Sequence, residues 1–281
     1  MLRLFNNGIL NDFNAVTIVS AICSYVLPLP LMIFLMKKLE SERLEKHSLN
    51  PKTFISYITI ALTLMWIGNI VGLTVTSLIG FVTQTEVINP IHELINSSDI
   101  WINLMLISMF GPIFEEIFFR KLLIDRTIKY GARLSVILSA VMFGLFHGNI
   151  SQFFYATLIG GFFAYVYIKT GNLIYPILLH MILNFLGSVV SLFVMGSAEN
   201  LASGGIMLID LFIVISYALI MAVAITIGLR KLIMSKNIKL DHIKTKITLR
   251  EPFKTVVLNY GMIMFTGFCI FEIIRQLSLS F

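Results

Sequence analysis

Eight runs of apolar residues alternate with short polar segments along the chain, at about Asn14–Met36, Phe54–Val82, Ile100–Phe119, Leu134–Phe146, Phe153–Ile168, Ile174–Met195, Ile206–Leu229 and Thr255–Ile274. A helix that crosses the hydrocarbon core of a bilayer needs about 20 apolar residues, and most of the runs reach that length. The pattern predicts an all-α fold, a polytopic membrane helix bundle of about eight transmembrane helices. The first run is too long for the apolar core of a signal peptide and lacks a small-residue cleavage site before its basic flank, so it is expected to stay as a membrane helix. Three stretches follow: N-terminal transmembrane helices over 1–99, a core over 100–196 in which ionisable residues interrupt the apolar pattern, and C-terminal transmembrane helices over 197–281. No internal repeat, low-complexity tract or soluble domain is visible.

Composition agrees with this class: 57% of the 281 residues are hydrophobic and 13% charged, far from the balance of a soluble globular domain. The net charge of +6 would suggest a nucleic-acid partner in a soluble protein. Here the basic residues sit in short loops between apolar runs, so the charge reports membrane orientation and no nucleic acid is implied. Segments 37–53, 120–133, 169–172 and 230–254 hold 5, 5, 1 and 8 Lys and Arg, 19 of the 21, and the alternate segments hold only Arg3 and Arg275. That split predicts a multi-pass protein of the cell membrane with its four basic loops in the cytoplasm and both termini outside. The longest polar stretch, 230–254, reads as a solvated connection able to touch anionic lipid. Cys23 and Cys269 lie within apolar runs and suggest no disulfide framework.

Against this background the core stands out for its polar residues. Glu115, Glu116 and Arg120 lie in Phe114-Glu115-Glu116-Ile117-Phe118-Phe119-Arg120, His147 ends Phe143-Gly144-Leu145-Phe146-His147, and His180 opens His180-Met181-Ile182-Leu183-Asn184. A charge at membrane depth costs at least ~2.5–3.5 kcal/mol, so such residues point to a functional site. Glu116 and Arg120, Phe143 and His147, and His180 and Asn184 are each i,i+4 pairs on one helical face. A turn is expected at Tyr130-Gly131-Ala132, with Arg120 to Lys129 extending the third helix. Glu115 and His147 are each 16 residues from Gly131, so an antiparallel hairpin brings them level, roughly 24 Å from the turn at 1.5 Å per residue. Pro112 removes one helical hydrogen bond and should free a carbonyl about a turn earlier. Asp210 and Glu272 read as interfacial or paired residues outside this group.

These residue types suit hydrolysis, which requires a base for water, donors for an oxyanion and a dry, preorganised site. A desolvated carboxylate beside a second carboxylate suits the base, and imidazole can share the proton or bind a metal. Neither Gly-x-Ser-x-Gly nor His-Glu-x-x-His is present, which disfavours an elbow-type serine hydrolase and a helix-borne zincin. A proton-coupled transporter would bury similar groups, but it should carry inverted repeats, and none is seen. A non-catalytic membrane immunity or scaffold protein is the other alternative; it would tolerate loss of the carboxylates.

The motifs Glu115-Glu116-x-x-x-Arg120, Phe143-x-x-x-His147 and His180-x-x-x-Asn184, in that order and over about Trp101 to Gly187, resemble the signatures of the CAAX-protease and bacteriocin-processing family. This family, also called Abi, comprises intramembrane endopeptidases that include the type II CAAX prenyl endopeptidase. The resemblance implies a peptidase acting on peptides or proteins at the membrane, in bacterial members often in processing of, or immunity to, peptide pheromones and bacteriocins. It implies that Glu115 and His147 activate water while His180 and Asn184 stabilise the oxyanion. Glu116 and Arg120 are read from their spacing as a supporting ion pair. No cofactor is favoured; a metalloprotease reading, with Zn²⁺ on Glu115, His147 and His180, stays open beside the metal-free one.

Overall fold

The computed structural model describes residues 12–205, 208–234 and 252–279. Its helices, in chain order, are α1 Phe13–Met36, α2 Pro51–Thr83, α3 Pro90–Ser97, α4 Ile100–Tyr130, α5 Ala132–Phe146, α6 Ile150–Thr170, α7 Ile174–Ala202, α8 Leu208–Met234, α9 Pro252–Val257 and α10 Tyr260–Ser278. Seven are long and apolar enough to cross a membrane, and α5 is a shorter apolar helix. The eight expected crossings are therefore present as helices, and the protein is a polytopic, multi-pass helical membrane bundle. The short α3 and α9 were not expected. Their starts follow local chemistry, Pro90 and Pro252 each occupying the first helical position, where a missing N–H costs nothing.

α6 lies at the centre, packed against α2 and α5, and small residues let the backbones approach. A Cβ on Gly144 of α5 would strike Thr157 of α6, and one on Gly68 of α2 would strike the Tyr155 backbone of α6. Close approach at small residues is how membrane helices gain packing energy, because lipid offers no hydrophobic drive between them. The buried apolar core runs through Tyr57, Leu62, Phe119, Phe143, Ile159, Phe163, Leu179 and Leu183. By contrast α1 has no buried residue, and its Ile22, Leu27, Leu31 and Phe34 are exposed as a lipid-facing helix requires.

The loops sort to two ends. At one, the segment after α1 crosses the turns after α4 and α6: Glu42 N–H donates to the Asp125 carbonyl (2.7 Å), His47 N–H to the Thr170 carbonyl (2.7 Å), and Arg126 Nε to the Met36 carbonyl (2.8 Å). Three of the four basic segments thus meet. The fourth, 230–254, lies mostly outside the described residues. At the opposite end Asn14 and Asp99 exchange two hydrogen bonds (2.6 and 3.0 Å). Arg120, counted among loop residues by its position, is instead wholly buried within α4, so its charge carries no orientation information. Asp210 is buried in the first turn of α8, where a carboxylate suits the helix dipole, with Oδ2 unbonded among the described residues.

Candidate active site

α4 carries the carboxylates on irregular backbone. Residues Asn103–Phe110 and Ile117–Leu122 take the wider π register, in which each N–H reaches the carbonyl five residues back. Gly111 N–H bonds the Leu106 carbonyl in this way, so the N–H that Pro112 lacks leaves the Ile107 carbonyl without its helical donor. Asn184 of α7 supplies one, its Nδ2 lying 2.9 Å from Ile107 O. The carbonyl expected from Pro112 is thus found, and its donor is a residue expected to serve the oxyanion. Sequence could not show that pairing, which depends on α7 lying against the π turn.

Glu115 and Glu116 follow at once and are 7% and 0% exposed. Glu116 is held from two sides. Arg120 Nε stands 3.0 Å from Glu116 Oε2, both side chains fully buried, out of line with the N–H and therefore a charge contact rather than a directed hydrogen bond. His180 Nδ1 lies 2.9 Å from Glu116 Oε1. Arg120 also donates from Nη2 to the Gly160 carbonyl (3.0 Å), and its guanidinium sits 4.6 Å over the Phe143 ring. A Cβ at Gly160 would come within 2.8 Å of that ring, so glycine there admits both the ring and the arginine.

Glu115 is arranged differently. Its Oε1 accepts the Tyr25 hydroxyl of α1 at 2.7 Å, while Oε2 is buried, has no hydrogen-bond partner among the described residues, and lies 3.8 Å from His180 Nε2. One carboxylate oxygen is therefore unsatisfied in a dry setting beside an imidazole. His147 caps α5 and holds the Phe143 carbonyl through Nδ1 at 2.8 Å, which as a donor leaves Nε2 basic. The Phe143 ring stands between the two histidines, edge-on to His147 at 4.9 Å and to His180 at 5.6 Å. Gly131, with φ 121°, forms the α4–α5 turn, so the hairpin pivots where expected.

Of the expected site residues, the structure gathers Glu115, Glu116, Arg120 and His180 into one cluster, sets His147 beside it across Phe143, and turns the Asn184 amide to backbone. A cavity of about 370 Å³ opens from His147 to the end opposite the basic loops, lined also by Asn149, Gln152, Phe268 and Glu272. Glu272 is paired as expected, with Arg275 at 2.7 Å, yet it lies on the wall of this cavity. Sequence reasoning passed over Tyr25. Its signal was a phenol in the middle of an apolar run, away from the interfaces that tyrosine prefers.

Three ligands for a metal would have to converge on one point. Among the described residues no three His, Cys, Asp or Glu side chains do so. His180 turns Nδ1 to Glu116 and His147 turns Nδ1 to a carbonyl, an arrangement that metal-binding histidines also adopt, so what speaks against a zinc ion is that Glu115, His147 and His180 do not converge.

Comparisons with known proteins point to the same segment. The model of the type II CAAX prenyl endopeptidase Rce1-like family matches residues 97–186. YdiL of Bacillus subtilis (strain 168), whose descriptive name proposes a membrane peptidase, is 36% identical over 81 residues, 27% of this chain and 32% of the relative. The match thus spans about a third of that relative. No solved structure matches the chain. Every residue of the cluster except Tyr25 falls inside 97–186, so the site lies in the segment of this chain that is similar to the CAAX prenyl endopeptidase family.

Proposed function

We propose that the protein is an intramembrane endopeptidase that hydrolyses peptide bonds in membrane-associated peptides or proteins. The observation that carries this reading is the state of Glu115: a buried carboxylate with one oxygen unbonded among the described residues, next to a second carboxylate that Arg120 and His180 hold at 3.0 and 2.9 Å. A structural ion pair would use both oxygens. A general base needs one of them open.

In this mechanism a water molecule reaches Glu115 Oε2 through the cavity beside His147. Glu115 takes its proton, His147 holds the water through the basic Nε2, and the water oxygen adds to the peptide carbonyl carbon. His180, held by Glu116 through Nδ1, presents Nε2 toward the oxyanion, and Glu115 returns its proton to the leaving amine as the C–N bond breaks. Glu116 and Arg120 hold His180 in this orientation. A positioned base contributes typically ~10²–10⁴-fold and an oxyanion donor about 10²–10³-fold. With Asn184 bound to the Ile107 carbonyl, its contribution is to keep α7 seated on the π turn of α4. No step passes through a metal, since the donors do not converge.

With the basic end in the cytoplasm, the cavity mouth faces outward, which suits processing of, or immunity to, an exported peptide. Peptidomics of membranes carrying the wild-type protein or the Glu115→Gln variant tests the reading. Peptide products should vanish in the variant at equal protein level, and identical peptide profiles would refute it. Dialysis of detergent-purified protein against a strong chelator should leave cleavage unchanged. Loss restored only by Zn²⁺ or another divalent ion would reassign Glu115, His147 and His180 as ligands.

A further inference from the structure

The geometry points to α1 as a movable wall, with Tyr25 as its latch: we propose that a membrane-spanning substrate segment reaches Glu115 sideways from the lipid by displacing the Tyr25 phenol. This inference rests on the peptidase reading of Glu115. Four observations carry it.

First, α1 has no buried residue along its whole length, so lipid can replace most of its packing at little cost, because acyl chains are as apolar as its side chains. Second, its polar ties are few and well placed. Asn14 holds Asp99 at one end, the Met36 carbonyl takes Arg126 at the other, and Tyr25 holds Glu115 between them. Third, the backbone is weakened around Tyr25. Residues Ile22–Val26 form a π turn, and Pro28 and Pro30 follow, the sequence of features at which helices bend. Fourth, the Tyr25 ring stacks on Phe114 at 5.8 Å while its hydroxyl covers Glu115 Oε1. The phenol therefore closes the lipid side of the carboxylate, while the cavity beside His147 opens on a different side. Water and substrate have separate routes, and the substrate route is through the bilayer.

The latch is weak enough to open. One hydrogen bond to a charged oxygen holds it, and a substrate whose extended backbone enters beside Glu115 brings its own N–H donors to replace the phenol. A water-soluble peptide without an apolar segment does not partition to the α1 seam and is expected to be a poor substrate.

Two readouts on full-length protein in liposomes test this, one of them independent of peptidase activity. Dicyclohexylcarbodiimide, a lipid-soluble carboxyl reagent, is applied and modification of Glu115 is followed by mass spectrometry. In a Cys23→Ser, Cys269→Ser background, Asn14→Cys and Asp99→Cys are oxidised to tether α1 to the start of α4. The tether should slow both Glu115 modification and cleavage of a peptide with one membrane-spanning segment, and reductant should restore both. Tyr25→Phe should speed modification roughly two- to tenfold, the size of one net hydrogen bond, and lower KM without lowering kcat. Equal modification of tethered and reduced protein overturns the gate. So does a Tyr25→Phe variant that loses kcat at unchanged KM and unchanged modification, since Tyr25 would then act on the reaction itself. If the untethered protein cleaves no peptide while the tether still controls modification, the gate stands and the peptidase reading falls.

Discussion

Two ion pairs with the same spacing lie one turn apart on α4, and they behave as different objects. Glu116–Arg120 is separated by 3.0 Å with both side chains fully buried, and Lys121–Asp125 by 2.6 Å with the lysine 49% exposed. The first has partners on other helices as well: His180 holds Glu116, while the Gly160 carbonyl and the Phe143 face hold Arg120. The second has one further partner, the Tyr167 hydroxyl, which donates to Asp125 at 2.7 Å. Spacing only lets two charges meet; the helices opposite decide whether the pair is a surface tie or the foundation of a site. Around Glu116 and Arg120 the opposite helices bring a histidine, a backbone carbonyl and an aromatic face, so that Glu115 can stay unbonded on one oxygen. Around Asp125 they bring a tyrosine at the basic end of the bundle, where water is close.

The contrast can be broken at several places. The largest effect is expected at the unbonded oxygen: Glu115→Gln should lower peptide turnover about 10²–10⁴-fold with the amount of folded protein unchanged, and His147→Ala should do the same within a factor of a few. Steady-state cleavage beside size-exclusion yield checks both, and an active Glu115→Gln would place the base elsewhere. Next comes Arg120→Ala. It leaves Glu116 as a buried charge with only His180 against it, a loss of about 3–5 kcal/mol, to be seen as a fall in thermal unfolding temperature and yield in detergent. A stable but inactive Arg120→Ala would move the arginine into the reacting group.

Asn184→Ala sharpens the comparison on α7. Removing the donor to the Ile107 carbonyl should cost about 1–3 kcal/mol of stability, with turnover per folded molecule nearly preserved. A drop of roughly 10²–10³-fold in turnover at unchanged stability would show the amide reaching the oxyanion after all. The smallest effect is expected for Lys121→Ala, roughly 0.2–1 kcal/mol, because one partner is half in solvent. Were Lys121→Ala as damaging as Arg120→Ala, burial would not be what separates the two pairs.

Much of this was legible before any coordinates. The crossings follow from run length, and the Gly131 turn puts Glu115 and His147 level because 16 residues separate each from it. The Glu116–Arg120 pair follows from its spacing. What failed was counting Arg120 with the basic loop 120–133, although the same residues predict that the helix runs on to a turn at Gly131. α4 does continue to Tyr130, and the guanidinium finds Glu116 and Gly160 inside.

Sequence alone determined the number of membrane helices, their grouping by end and the identity of the polar residues that hydrocarbon would otherwise reject. These are local properties, set by composition over about 20 residues and by a rise of 1.5 Å per residue. Tertiary structure decided the partners. That Asn184 takes the Ile107 carbonyl, that Phe143 separates the two histidines, and that Tyr25 covers Glu115 from 90 residues away depend on the rotation and depth of each helix against its neighbours. Neither is written in hydropathy, since a helix turned by half a revolution about its axis keeps the same composition and the same length while exchanging every contact.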